Sequence, residues 1–367
     1  MTILHILTYS WENGGASKVV HDIAVFQKKV GHTPVIISID KKGDKLFKEI
    51  DGVEIIRITA PLLSRFFPLF SIDLFKILKT RPFDIYHLHG LWNFTLFAAH
   101  ILKFWDKTIV TIHGCANPYT FVNNKTKRLV FSILFQHKFL KKVKSIHVFH
   151  PKEKKYMVDY LGSDPGNIKI IPTGINTNID GLSPSERSEN RRILYMSRLD
   201  PIKGLDLLLP AFLKLSEVVN DIELVIAGPD FGMLEFVENF IRDNSEKAKI
   251  SYVGTVTGTE KQKLLDSAST FVLTSYSEGF SVAVLEALNQ GIPVVVSTEA
   301  GMSDEILDYK AGLIAEFNVE SIFQALFTMV SDKDYIKTSS ENAQKLVKEK
   351  FDENQIEIKL SQLFGFT

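Results

Sequence analysis

Short apolar segments alternate with stretches of helical period along the whole chain, and the alternation runs twice. Strands buried on both faces of a parallel sheet read as apolar runs, and the helices between them make the crossovers, so the pattern predicts doubly wound α/β domains. In the first half, strands are expected at Ile3–Thr8, Val35–Ile39, Glu54–Ile58, Ile85–His89, Thr108–Ile112 and Ser145–Phe149, with helices such as Ala16–Val30 and Leu91–Phe104 between them. In the second half they are expected at Arg192–Met196, Ile222–Ala227, Ile250–Tyr252, Thr270–Thr274, Pro293–Ser297 and Gly312–Ile314. Helices there are expected at Leu205–Val219, Met233–Asn244, Thr259–Ser267 and Glu320–Ser331. The change of half falls near Pro172-Thr173-Gly174, and 367 residues exceed the usual single core. Two Rossmann-like domains follow, 1–172 and 173–345, with a helical tail over 346–367; the stretch Asn178–Asn190 is polar and reads as a loop.

Ligands of open parallel sheets sit beyond the carboxyl ends of the strands. At one such end the chain reads Ser277-Glu278-Gly279-Phe280-Ser281-Val282-Ala283-Val284-Leu285-Glu286-Ala287-Leu288, then Gly291-Ile292-Pro293-Val294-Val295. A helix opening near Phe280–Val282 presents amides without internal partners and the positive end of its dipole, which together form an anion site. Glu278 stands before the helix. Glu286, about one turn in, leans back toward its start. A phosphate on the amides, with an acid gripping hydroxyls on either side, suits a sugar nucleotide. The plainer alternative is that Glu278 favours the dipole and Glu286 sits on a solvated face. Yet Glu286 lies on a helix apolar nearly all round, where a charge usually has a partner.

Glu-Gly-Phe-Ser, a glutamate eight positions on, and Gly-Ile-Pro-Val-Val together resemble the retaining glycosyltransferases of family 4, which have the GT-B fold. Tyr195-Met196-Ser197-Arg198-Leu199-Asp200-Pro201-Ile202-Lys203-Gly204-Leu205 is similar to the family segment that supplies an arginine and a lysine to the donor pyrophosphate. Ile170-Ile171-Pro172-Thr173-Gly174-Ile175-Asn176 is like its interdomain turn. The resemblance covers the chain and is weakest between about residues 40 and 80. It implies two domains facing across a cleft, acceptor on the first and donor on the second, with a C-terminal helix crossing back to the first.

Composition excludes several alternatives. A lone Cys115 rules out an internal disulfide framework and suits a reducing cytoplasm. The N-terminus lacks the features of a signal peptide and reads as a buried strand, and no apolar run is long enough to span a membrane. Formal net charge is zero, but residues 1–180 hold 25 Lys+Arg against 14 Asp+Glu, leaving 43−25 = 18 against 43−14 = 29 in the remainder. No acid occurs between Lys107 and Lys152, and from Phe121 to Lys144 basic residues interleave with Phe and Leu. That segment reads either as a helix burying its apolar face or as a surface for an anionic bilayer, and the two are compatible. No recognised nucleic-acid-binding motif accompanies it.

Several residues carry expectations. Gly14 and Gly15, after the first strand and following Trp11, allow a close backbone approach to a phosphate or simply make a turn. G-x-G-x-x-G is missing, so this is not the dinucleotide fingerprint. Arg198 and Lys203 offer a guanidinium fork and an ammonium to a departing diphosphate. His113 ends a strand, where it is either a satisfied strand-end residue or, as the resemblance implies, a neighbour of the transferred sugar. His87 and His89 share a strand face, which could suggest a metal, but no adjacent Cys, Asp or Glu completes a set and no metal site is expected. His89 and Trp92, with Trp11, are placed on the acceptor side, although Trp92 would serve equally in a core. By resemblance, backbone groups of Gly228, Val253 and Gly254 frame the base. Glu286 takes the ribose and Glu278 the sugar, while Gly279, Phe280, Ser281 and Val282 hold the phosphates.

The only D-x-D, Asp332-Lys333-Asp334, lies beyond a C-terminal helix, so neither metal nor other cofactor is expected. The expected activity is retaining transfer of a hexose from a UDP- or GDP-linked donor to a glycan or lipid-linked glycan, in bacterial polysaccharide synthesis, in the cytoplasm or at the inner membrane face. A sugar-nucleotide epimerase, a phosphorylase and a catalytically idle sugar-nucleotide-binding scaffold are the rivals.

Overall fold

The structure, a computed structural model, describes residues 1–7, 15–40, 49–59, 71–117, 136–177 and 191–366. The chain divides into two compact units, Met1–Pro172 with Glu357–Thr367, and Thr173–Ile356.

In the first unit the strands are β1 (Thr2–Leu7), β2 (Thr33–Asp40), β3 (Glu49–Ile50), β4 (Val53–Thr59), β5 (Ile85–His89), β6 (Thr108–Thr111), β7 (Ser145–Val148) and β8 (Ile168–Ile170). They lie in the order β3-β4-β2-β1-β5-β6-β7-β8, all parallel except for the β3–β4 pair. The helices are α1 (Gly15–Lys29), α2 (Ile72–Thr80), α3 (Phe94–Ile101), α4 (His137–Leu140) and α5 (Pro151–Leu161). Central strands such as Thr2–Leu7 are buried on both faces, which is why their sequences do not alternate in polarity.

The second unit holds β9 (Arg192–Met196), β10 (Glu223–Ala227), β11 (Lys249–Tyr252), β12 (Thr270–Leu273), β13 (Val294–Ser297) and β14 (Gly312–Ala315), in the order β11-β10-β9-β12-β13-β14. Around them lie α6 (Leu205–Ser216), α7 (Leu234–Asp243), α8 (Gly258–Ser267), α9 (Val282–Asn289), α10 (Ser303–Tyr309), α11 (Val319–Ser331) and α12 (Lys333–Lys350). The helix α13 (Glu353–Phe364) begins in this unit and ends in the first. In both sheets the chain leaves the first strand on one side and returns on the other. This places switch points between β1 and β5 and between β9 and β12, where ligands of such sheets bind.

The differences from the sequence reading have local causes. The helix expected from Leu91 starts at Phe94, because Asn93 caps it with Oδ1, which accepts from the Leu96 amide at 3.3 Å. The tail is two helices, not one, and residues 346–356 stay with the second unit. Leu346 and Val347 are wholly buried in its core. The break comes where Ile175 N–H donates to Phe351 O and Glu353 N–H donates to Ile175 O, so these backbone groups pair outside any helix. Phe364, fully buried, packs against His87 at 5.4 Å, and Phe366 lies 3.9 Å from the His32 ring in the first unit. Helices α2, α5 and α10 fall in gaps where helices were expected but not individually placed, and the short strands β3 and β8 were not expected.

Candidate active site

Two loops meet at the β9/β12 switch point. The first, Ser197–Gly204, leaves β9 and passes through Asp200, whose carboxylate accepts from Ile202 N–H at 3.0 Å. The second, Thr274–Ser281, leaves β12 and enters α9. They are tied by Thr274 Oγ1 donating to Gly204 O and Tyr276 N–H donating to Ile202 O, both 2.9 Å. Gly204 has φ +70°, and a Cβ there would stand 2.1 Å from Thr274 O, so only glycine lets the loops touch.

This contact brings together two side chains 75 positions apart in sequence. Lys203, 7% exposed, donates from Nζ to Glu278 Oε2. An ammonium has three donors, so the pair leaves two N–H groups of Lys203 for an anion while Glu278 fixes where they point. Arg198 lies with its guanidinium 4.9 Å from the Phe231 ring centre. Its carbonyl accepts from Tyr195 Oη at 3.2 Å. Burial first, then the charges of Glu278 and Asp200, push the Tyr195 phenol well up, while Arg198 acts the other way. Arg198, Glu278 and Asp200 are therefore all within electrostatic reach of one buried hydroxyl.

At the start of α9, Ser281 is the cap and its Oγ accepts from Val284 N–H at 3.3 Å. Leu285 N–H begins the ladder by donating to Ser281 O, so the helix itself offers no partner to the amides of Val282 and Ala283. Phe280 stacks edge-on to Phe351 at 5.8 Å, holding the turn that contains Gly279. Glu286 does have the partner its apolar helix demanded: Lys261 Nζ, from α8, at 2.8 Å. Nothing in the sequence near Lys261 marked it, since the pairing exists only across two helices.

The β10 and β11 ends are more committed than expected. Gly228 N–H donates to Gly254 O at 2.8 Å, Gly228 O accepts from Tyr252 Oη at 2.9 Å, and Val253 N–H donates to Ile226 O. A base meeting these residues would therefore find those groups engaged. Gly228, with φ +143°, would place a Cβ 1.8 Å from Ser197 O.

In the first unit the sheet register assembles something the sequence reading missed. His5 pairs with His87 across β1–β5, His89 with Thr111 across β5–β6, and Thr111 with His147 across β6–β7. Parallel neighbours share a face, so one face carries a polar stripe through the centre of the sheet. His5 thus forms a trio with His87 and His89, one nitrogen from each lying within 4.8 Å of the others, a neighbour the sequence reading did not name. His5 Nδ1 and His89 Nε2 are engaged with each other at 3.2 Å, however, and a cation would have to part them.

His89 is fully buried, and Trp92, 9% exposed, packs in the core, the alternative its sequence position left open. Trp11 and Gly14 lie outside the described residues, and Gly15 opens α1. His113, with φ +52°, follows β6 and bonds His89. Beside it Glu153, also unexpected, accepts from Gly114 N–H at 2.6 Å and Phe149 N–H at 2.8 Å, while burial raises its carboxyl to about 7.

The basic segment falls mostly outside the described residues. Of its described end, Phe139, Leu140 and Val143 are buried, while Lys142 lies 4.1 Å from the Trp105 ring centre. Among the described residues, no helix is long and apolar enough to cross a membrane.

The two units, each a mainly parallel sheet with a switch point, have the GT-B fold. Residues 13–179 match the model for Glycosyltransferase Family 4, and residues 183–346 match that for Glycosyl transferases group 1. The two matches together span most of the chain, which belongs to the family 4 glycosyltransferases. An uncharacterized glycosyltransferase of Methanocaldococcus jannaschii is 30% identical over 205 residues, 56% of this chain and 52% of that protein. The chain thus spans about half the length of this curated relative. The UDP-Gal:alpha-D-GlcNAc-diphosphoundecaprenol alpha-1,3-galactosyltransferase of Escherichia coli is 26% identical over 277 residues, covering 71% of this chain and 70% of that one. Among solved structures, Anabaena HepE in complex with UDP and glucose superposes with a TM-score of 0.79 at 19% identity, covering 100% of both chains.

Proposed function

We propose that the protein transfers a hexose from a nucleoside-diphosphate sugar, UDP- or GDP-linked, to a hydroxyl of a glycan or lipid-linked glycan, with retention of anomeric configuration. The observation that carries this is the Lys203–Glu278 pair at the β9/β12 switch point, with Arg198 acting on the same buried tyrosine. Lys203, Arg198 and the first amides of α9 stabilise charge on the leaving diphosphate, and preorganised donors of this kind usually contribute more to catalysis than any other single effect. Glu278 orients the sugar and Glu286 takes the ribose hydroxyls, exchanging Lys261 for the ligand. The sugar becomes oxocarbenium-like, the acceptor attacks the face the leaving group departs, and its proton passes to the departing phosphate oxygen. Cationic side chains and helix amides occupy the electrostatic role of a divalent ion, so the reaction is metal-independent. Uridine is favoured as the base, because UDP is the nucleotide in the names of both the E. coli relative and the HepE complex.

A thermal-shift series checks the donor. UDP or GDP at a hundredfold excess over its dissociation constant should stabilise the ligand-bound unit by about 2.7 kcal/mol, undiminished by EDTA. No shift with either nucleotide, or a shift that requires a divalent ion, would sink the reading or its metal-independent form respectively.

The acceptor is taken to be lipid-linked because the first half is basic, 25 Lys+Arg against 14 Asp+Glu over residues 1–180. A basic surface of this kind suits an enzyme that works in the cytoplasm against the inner membrane face. Co-sedimentation with anionic vesicles at low salt, lost at high salt, is the expected result. Equal partitioning with neutral vesicles would remove the membrane part alone.

A further inference from the structure

The buried histidines form two hydrogen-bond chains, each of which starts at an oxygen. In the first, His5 Nε2 lies 2.8 Å from Gln27 Oε1, His5 Nδ1 lies 3.2 Å from His89 Nε2, and His89 Nδ1 lies 2.9 Å from His113 Nε2. In the second, His147 Nε2 lies 2.7 Å from Ile171 O, His147 Nδ1 2.9 Å from Thr111 Oγ1, and Thr111 Oγ1 2.6 Å from His87 Nε2.

A carbonyl oxygen only accepts, and a neutral imidazole has one donor and one acceptor nitrogen. The direction of every link is then forced. His5 donates from Nε2 to Gln27, so its Nδ1 must accept; His89 supplies that proton from Nε2, so its own Nδ1 must accept; His113 supplies that one from Nε2. The second chain runs likewise to His87, whose Nδ1 ends it as a buried acceptor without a partner. Burial keeps all five rings neutral.

We propose that Gln27, His5 and His89 are positioning residues that lock His113 as the Nε2–H tautomer, so that the Nδ1 it presents to a sugar hydroxyl can only accept a hydrogen bond. Ring orientation is fixed by the same links, much as a carboxylate orients a catalytic histidine through its far nitrogen. The inference deepens the proposed transfer and rests on it for the identity of the hydroxyl. A sugar that offers His113 a donor group is accepted, and an analogue with an acceptor alone at that place, such as a fluoro or methoxy substituent, is disfavoured. The strand register makes the chain possible, since it brings residues 84 positions apart into contact.

Long-range 1H–15N spectra of the ligand-free, 15N-histidine-labelled full chain read each tautomer directly. His5, His89 and His113 are expected in the Nε2–H form. Gln27→Leu should disturb all three together, with kcat falling several-fold and the folded state retained by circular dichroism. Thr111→Val should disturb His87 and His147 and leave His113 unchanged. An Nδ1–H or mixed His113 in the wild type, which is what an inverted Gln27 amide would produce, overturns the proposal; so does an unchanged His113 in Gln27→Leu. Should that variant fail to fold, the wild-type spectrum still decides. The spectra need no substrate, so a protein with these tautomers but no transferase activity would sink the proposed function and leave the tautomer lock standing.

Discussion

Lowering the pH from 7 to 4 will unfold the first unit and leave the second standing. All ten histidines lie within residues 1–150; four of them, His5, His87, His89 and His147, are buried in the first sheet, and His113, partly buried, follows β6 and bonds His89. Burial lowers His5 and His147 to about 4 and His113 to about 3, with His87 and His89 also well below the usual value. The unfolded chain takes up these protons near the ordinary value of about 6.5, so it binds more protons than the folded chain below that pH. The stabilisation is therefore complete above about pH 6.5 and is lost as the pH falls toward the folded values. A shift of the size given for His5 or His147 corresponds to roughly 3 kcal/mol when the loss is complete, a large part of the 5–15 kcal/mol that holds a whole domain.

Glu153 opposes this trend. Its folded value of about 7 exceeds the ordinary carboxyl value of 4.5, so its contribution is present at low pH and lost as the pH rises through about 7. One group does not outweigh five. The three tryptophans, Trp11, Trp92 and Trp105, all belong to the first unit, so their emission reports that unit alone. A red shift of tryptophan emission between pH 6.5 and 4, with part of the far-UV dichroism surviving, is the expected result. A single transition seen identically by both probes, or none above pH 4, would show that the buried rings do not govern acid stability.

Lys203→Ala will lower kcat/KM for sugar transfer by about 10²- to 10³-fold, the scale seen when one preorganised donor to developing charge is lost. Lys203→Arg should rescue little, because a planar fork does not fill the place of an ammonium held on Glu278 in a buried setting. Stability has to be separated from chemistry here. Removing the lysine strands the Glu278 carboxylate, and breaking a buried pair costs about 3–5 kcal/mol. The double variant Lys203→Met with Glu278→Gln leaves no charge stranded, so it should recover much of the melting temperature while activity stays lost. Activity returning along with stability would reduce the pair to a structural tie. Wild-type activity in Lys203→Ala itself would remove Lys203 from the site.

The two acids illustrate what was legible in advance. Glu278 and Glu286 stood out because their spacing put one before a helix and one a turn inside it, and that relation is local. The prediction that Glu286 must have a partner followed from its apolar neighbours, and the helix α9 indeed has one at Lys261. Which lysine it would be was not legible, because α8 and α9 meet only through the packing of the second core. Arg198 and Lys203 were read as partners of a ligand, and the structure adds that Lys203 is held by Glu278.

His89 and Trp92 show what was not legible. Both were placed on the acceptor side, with the core as the alternative for Trp92, and both are buried, Trp92 in the apolar core and His89 beside His5. An alternating histidine in a strand looks the same in sequence whether it faces a ligand or another strand.

By itself the sequence determined where most of the strands and helices lie and which loops follow the strands of each sheet. Period, capping residues and glycine turns act over a few residues, and the chain writes them in order. Tertiary structure alone decided the order of strands, the joining of Lys203 to Glu278 and Lys261 to Glu286, and the histidine chains. Those depend on which strands become neighbours and in what register. A shift of one residue in that register would turn His5, His87 and His89 to different faces, and no local pattern specifies it.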